Sequence, residues 1–382
     1  MNDEIIQPSK REPVLTFNLQ IGTERQPTEQ SNIDLESLEN NAGYVTTDST
    51  GVKIHAEFFR VEVYTEKVLE QQGIENFTNL FSAHINYLIK KLNQDTGLKA
   101  GIVEQICLAE EALLGEVIFQ VQHEKGLKPD YTGQKDYYHT AAKTISYFDK
   151  KGDVKNTIVF NVNFYGVLMV AFAENKPYDE WEVSQQLVYY MLAHECGHAL
   201  DSTARKDISA DSNMSVDEFD LEKWSLHYAP LLFNEYIASV IASSAVTSQL
   251  QNDMLVNWHN DSEKLIDNLL RRKFAYDFHF REVMNCFWIV LVQLAKLLAH
   301  HREDANFPNI QFMDEFEDEE RQNEQLSIVN DLNNLLIGFR ENYPQIPDDQ
   351  AITEILTPIF ERLAATYNFY FNNQELNSED DE

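Results

Sequence analysis

The five residues His194-Glu195-Cys196-Gly197-His198 constrain this chain more than any other stretch. On an α-helix, residues four apart lie about 40° apart around the axis and about 6 Å apart along it. Both imidazoles then reach one ion from the same face, so the segment is predicted to be helical. Glu195 is displaced around the helix from His194, where its carboxylate can take a proton from an ion-bound water without itself binding the ion. Nitrogen ligands with one position left for water suit Zn2+, which binds tetrahedrally. Cys196, two residues from each histidine, points to the opposite side of the helix and reads as a small core hydrophobe. Gly197 leaves room for another backbone to approach closely. Pro177, followed by Asp179 and Glu182 at capping-pair spacing, predicts the helix start, and the helix runs through Leu187, Tyr190 and Met191 to His198.

A zinc site of this kind needs a third protein ligand. Glu235 is the choice, at the beginning of a helical segment whose Ala238, Ser239, Ala242 and Ser243 allow close helix packing. Asp201 and His227 compete for the role. Asp201 lies on roughly the same face as His198, but three ligands from one helix would strain a tetrahedron, so it reads better as a carboxylate that orients a histidine. His227, two turns before Glu235, can instead donate a hydrogen bond to a reaction oxyanion. Tyr236, His279, Arg281 and the Tyr137-Tyr138-His139 cluster stand beside it as oxyanion candidates. His84 and His123 fall on helical stripes as surface or partly buried residues. His300 and His301, being adjacent, cannot face one ion from a helix and fit a helix C-terminus.

These motifs resemble the gluzincin group of zinc metallopeptidases. There, a helix bearing HExxH supplies two ligands and the catalytic base, and a downstream helix with an ExxA-like pattern supplies a glutamate. His194, Glu195 and His198 match the first motif; Glu235 with Ala238 matches the second. The ImmA/IrrE-type peptidases look like more distant relatives, with a strand before the motif helix and a glutamate helix after it. The resemblance spans roughly Ile158 to Val246 and implies peptide-bond hydrolysis by a zinc-bound water, with His194, His198 and Glu235 as ligands and Glu195 as general base.

Around this centre, Leu15, Phe17, Leu19 and Ile21 alternate as a strand, and Val52 to Phe58 then Phe59 to Val63 alternate with a phase shift that predicts a bulge or two strands. Phe77 to Leu92 form one helical stripe. Ile106, Leu113, Val117 and Val121 form another, stopped near Gly126. Thr157 to Val162 reads as a strand followed by a second apolar run, 167–172. A polar connection over 202–222 precedes long helices up to His301, and two further helices cover 326–339 and 351–367 before an acidic tail. The expected fold is α+β and predominantly helical: a β-containing N-terminal region (1–125), a zincin-like catalytic domain (126–305) and a helical C-terminal region (306–382).

The 63 acidic residues outnumber 30 basic ones, a formal net charge of −33. That field repels a phosphate backbone, which argues against nucleic acid, and draws in basic proteins or peptides. Three widely spaced cysteines form no CxxC pair, the N-terminus lacks an apolar signal core, and no apolar run spans a bilayer. The expectation is a cytoplasmic peptidase acting on a restricted, preferably basic, protein or peptide substrate away from membranes. The competing expectation is a zincin-like binding or regulatory module, its metal structural or absent, that docks a basic partner.

Overall fold

In the computed structural model, the described residues are 11–12, 15–21, 57–65, 103–127, 142–174, 177–206, 220–274, 280–300, 319–372 and 375–378. They form a mostly helical α+β protein that divides into two compact units, Met1–Ile208 and Ser209–Glu382. The catalytic region expected over 126–305 therefore draws on both. The predicted segments over 52–56 and 77–92, with His84, lie outside the described residues.

The first unit is built on a five-stranded sheet of order β1-β2-β3-β5-β4. Its strands are β1 (Leu15–Ile21), β2 (Glu57–Tyr64), β3 (Val103–Ala109), β4 (Ala142–Phe148) and β5 (Val154–Asn161). The two edge strands run antiparallel to their neighbours, while β2, β3 and β5 run parallel. Central parallel strands are covered on both faces and so read as unbroken apolar runs. Val61 and Val63 are buried on one face of β2 and Tyr64 on the other; Ile106, Cys107, Leu108 and Ala109 are all buried on β3. This overturns the helical stripe expected from Ile106 to Val121: Ile106 belongs to β3, and Leu113 closes a short 3-10 turn. A short, fully buried strand has no period of two to distinguish it from a buried helix.

Helix α1 (Leu114–Glu124) then lays Leu114, Val117, Ile118 and Val121 against Tyr64, Cys107, Ile145 and Val159. It stops as expected at Gly126, whose φ of +73° suits a residue without a Cβ. His123 is exposed and stacks on Phe119. The apolar run 167–172 lies in α2 (Val162–Glu174).

Helix α3 (Val183–Arg205) carries the histidine motif. Its start differs from the expected Asp179–Glu182 pair. Residues Tyr178–Glu180 make a 3-10 turn, with the Tyr178 ring edge-on to Trp181 and Tyr189, and this moves the cap three residues on. The capping box is Glu182 with Gln185, whose side chain accepts from the Glu182 N–H at 3.0 Å. The helix also outlasts the expected end at 202. Arg205 donates through Nε to Asp201 at 2.8 Å and through Nη2 to the other carboxylate oxygen, tying its last turn together.

The second unit is helical: α4 (Leu221–Ile241), α5 (Ser248–Phe274), α6 (Phe280–Leu298), α7 (Glu319–Asn342) and α8 (Asp349–Ala365), closed by the hairpin β6 (Phe369–Asn372) and β7 (Glu375–Ser378). Glu235 lies two turns from the end of α4, not at a helix start. Leu232, Phe233, Phe287, Leu291, Leu336 and Phe360 are fully buried in one core. Tyr228 stacks on Trp288 with ring centroids 4.4 Å apart. Buried hydroxyls of Ser225 and Thr357 bond at 3.0 Å between α4 and α8.

The Asp201–Arg205 pair is 2% and 5% exposed. Removing one partner from a pair this buried costs about 3–5 kcal/mol, whereas replacing both is close to neutral. Arg205→Met should therefore lower stability in urea unfolding by about that amount, and Asp201→Asn/Arg205→Met should recover most of it. Equal losses in both variants would contradict this reading.

Candidate metal centre

Three polar side chains of the sheet point at α3 and fix its depth and rotation. On β4, the Thr144 hydroxyl lies 2.9 Å from the Glu195 carbonyl and 2.7 Å from Glu195 Oε2. Ser146 bonds Asn156 at 2.6 Å and Ser202 at 2.8 Å, and Ser202 in turn donates to the His198 carbonyl at 2.8 Å. On β5, Asn156 donates to the Ala199 carbonyl at 3.2 Å, an oxygen also bonded by Thr203 at 2.8 Å. The carbonyls of 195, 198 and 199 are thus all tied, directly or through Ser202, to the strands beneath.

This anchoring sets the histidines. His194 is buried and His198 half-buried. Their rings stand at 84° to each other with centroids 4.6 Å apart, and the two Nε2 atoms are 3.1 Å apart. Tyr190, one turn earlier, lies against His194 with ring centroids 5.8 Å apart. Two nitrogens bound tetrahedrally to zinc at about 2.0–2.1 Å would be roughly 3.3–3.4 Å apart, so the pair already has close to the spacing of two zinc ligands. Glu195 stays half-buried beside them, its carboxylate held by Thr144.

Cys196 faces the core, as the sequence predicts. It is 4% exposed, and burial, reinforced by the Glu195 carboxylate, pushes its thiol up to about 12. Cys286 is pushed up to about 12 by burial as well. Asp201, expected to orient a histidine, holds Arg205 with both carboxylate oxygens.

In the second unit, Glu235 of α4 is half-buried, and its Oε2 accepts from Lys296 Nζ of α6 at 2.6 Å. Ala238, Ser239 and Ala242 are fully buried, whereas Ser243 is exposed. His227 lies edge-on to Tyr228 at 5.1 Å and to Trp224 at 6.5 Å. Tyr236, another oxyanion candidate, is 2% exposed, and burial raises its phenol. Arg281 lies in α6, and His300 is buried in the turn after it. Tyr137, Tyr138, His139, His279 and His301 lie outside the described residues.

The sequence reading missed Thr144, Ser146 and Asn156. The signal for β4 was present: Thr144 and Ser146 alternate with Ile145 and Tyr147, two small hydroxyl residues on one face of a strand.

A thiol raised this far carries almost no thiolate at about pH 8, so Cys196 should resist alkylation by iodoacetamide in the folded protein. Urea should make all three cysteines reactive. Rapid stoichiometric labelling of Cys196 without urea would contradict its core placement.

No family model, curated protein or solved structure matches the chain.

Proposed function

We propose that the chain is a zinc-dependent metallopeptidase of the gluzincin kind, with His194, His198 and Glu235 as ligands and Glu195 as general base. The observation that carries this reading is the 3.1 Å approach of the two Nε2 atoms with Glu195 beside them on one helix. His194 and His198 stand on α3 of the first unit and Glu235 on α4 of the second. Two imidazoles and a carboxylate are the donor set of an open, catalytic zinc site. The order of elements also supports a zincin-like core: a mixed sheet, then the motif helix packed on its antiparallel edge strand, then a helix bearing the glutamate.

Bound there, zinc would act as a Lewis acid on a peptide carbonyl and lower the pKa of its water to about 7. Glu195 would be the residue that accepts a proton from the attacking water and passes it to the leaving amine. The Thr144 hydroxyl, 2.7 Å from Glu195 Oε2, orients that carboxylate. His227, its ring fixed by Trp224 and Tyr228, is the candidate oxyanion donor.

A formal charge of −33 favours basic peptide or protein substrates over nucleic acid. Three free, buried cysteines support a reducing, cytoplasmic setting. Among the described residues, no helix is long and apolar enough to cross a membrane. One observation favours the second reading, a docking module: Glu235 is paired with Lys296 of α6 at 2.6 Å.

Elemental analysis separates the two. The peptidase reading predicts about one zinc per chain, lost in His194→Ala and in His198→Ala. Glu195→Gln should keep the zinc yet cleave a mixture of basic peptides about 10²–10⁴-fold more slowly, read by mass spectrometry. No zinc in the wild type after supplementation would leave only the docking module, and undiminished cleavage by Glu195→Gln would overturn the mechanism.

A further inference from the structure

The second unit carries a groove of its own, between α7 and α8. The two helices run antiparallel: Arg362, near the end of α8, donates to Glu324 and, at 2.5 Å, to Asp331 in the first half of α7. The chain between Asn342 and Asp349 joins their opposite ends. The cavity between them measures about 790 Å³, within the range of about 300–1,000 Å³ that binding pockets occupy. Its lining runs from Asp331 to Asn342 on α7 and from Ala351 to Arg362 on α8, each at alternating spacings of three and four. One face of each helix therefore forms a wall, and the rise from 331 to 342 makes the trough roughly 16 Å long.

Apolar residues make the floor and acidic ones the rim. Leu335, Phe339 and Ile359 are buried at the bottom, and Ile355 is 40% exposed on one wall. Gly338 stands on the other wall, and among the described residues no atom lies within 4 Å of where its Cβ would be. Glycine weakens a helix interior relative to alanine, and its φ here is not positive. What it provides is open space beside the trough. Among the described residues that line the trough, Arg362 is the only cation, and its Nε, Nη1 and Nη2 donate to Glu324, Asp331 and Ser327. Asp348 and Glu354 add two more carboxylates, so the rim is negative.

We propose that this trough docks a basic amphipathic α-helix of a partner protein, whatever the histidine pair on α3 binds. Both walls are helix surfaces, whose backbone groups are engaged along the helix axis and offer no edge for an extended strand to pair with. An occupant must then satisfy its own backbone, as a helix does. Its apolar side chains, at helical spacing, enter beside Gly338 and against Phe339 and Ile355. Lysines or arginines flanking them meet Asp348 and Glu354. The trough is long enough for about three turns. A second copy of this chain is disfavoured as occupant, because two bodies of formal charge −33 repel each other.

The test is fluorescence anisotropy on the full chain with a labelled synthetic peptide of about 14 residues, four helical turns, with leucine at helical spacing and lysine elsewhere. A scrambled peptide of the same composition has the same charge and no apolar face. Wild type should bind the amphipathic peptide about 10-fold or more tighter than the scrambled one. Gly338→Leu fills the trough at unchanged charge and should abolish most of that preference, with a melting temperature no lower than wild type, since leucine is the better helix former. Glu354→Lys should weaken the amphipathic peptide roughly 2–5-fold. Equal binding of the two peptides would show attraction to the general acidic field alone and overturn the proposal, as would no binding of either. An undiminished preference in Gly338→Leu would overturn it too, by placing the peptide elsewhere. If Gly338→Leu melts below wild type, Ile355→Ser at its exposed position replaces it: the preference should fall, and an unchanged preference would overturn the proposal.

Discussion

Thr144 and Asn156 direct their polar atoms at the backbone carbonyls of α3, Ser146 joins through Ser202, and the placement of both histidines follows from that anchoring. A helix resting on a sheet by apolar contact alone can turn about its axis at small cost, because the hydrophobic effect has no direction. Hydrogen bonds to the carbonyls of 195, 198 and 199 remove that freedom. The result is a pair of imidazoles whose Nε2 atoms lie 3.1 Å apart. The polar residues beneath the helix therefore do for the site what a packed core does for the fold.

The same economy of motion shows in the charged groups. Buried and half-buried carboxylates are tolerated when paired and hydrogen-bonded, and three of them show such partners. Asp201 lies in the fork of Arg205, and the Glu195 carboxylate is held by Thr144. In the second unit, Glu235 has Lys296. The acidic excess of the whole chain is a separate matter: it sets a long-range field, and salt screens it over about 10 Å at 0.1 M. Short-range pairing fixes individual side chains, while the long-range field acts on whatever approaches the chain.

The placement of the histidine pair on one helix was more legible in the sequence than the sheet beneath that helix. A period of four between His194 and His198 survives in any context, because helix geometry alone brings them together. The core position of Cys196 followed from the same geometry. Long helices with clear periodicity, such as α7 and α8, were legible for a related reason. Strand β3 was not: Ile106, Cys107, Leu108 and Ala109 are buried on both faces and leave no alternation to read. The start of α3 was misplaced because Asp179 and Glu182 have capping spacing, yet so do Glu182 and Gln185, and only the aromatic packing of Tyr178 on Trp181 and Tyr189 selects the second pair. Thr144 and Asn156 were hidden because their importance lies in which helix they face, a tertiary fact. The hairpin β6–β7 had no signal strong enough to stand out from an acidic tail.

X-ray absorption at the zinc edge of the zinc-loaded protein tests the central claim most directly. The account predicts two imidazole nitrogens at about 2.0–2.1 Å with oxygen donors at about 2.0–2.2 Å in a four-coordinate shell, and no sulfur. A sulfur scatterer at about 2.3 Å, or a shell lacking the imidazole pair, would contradict it.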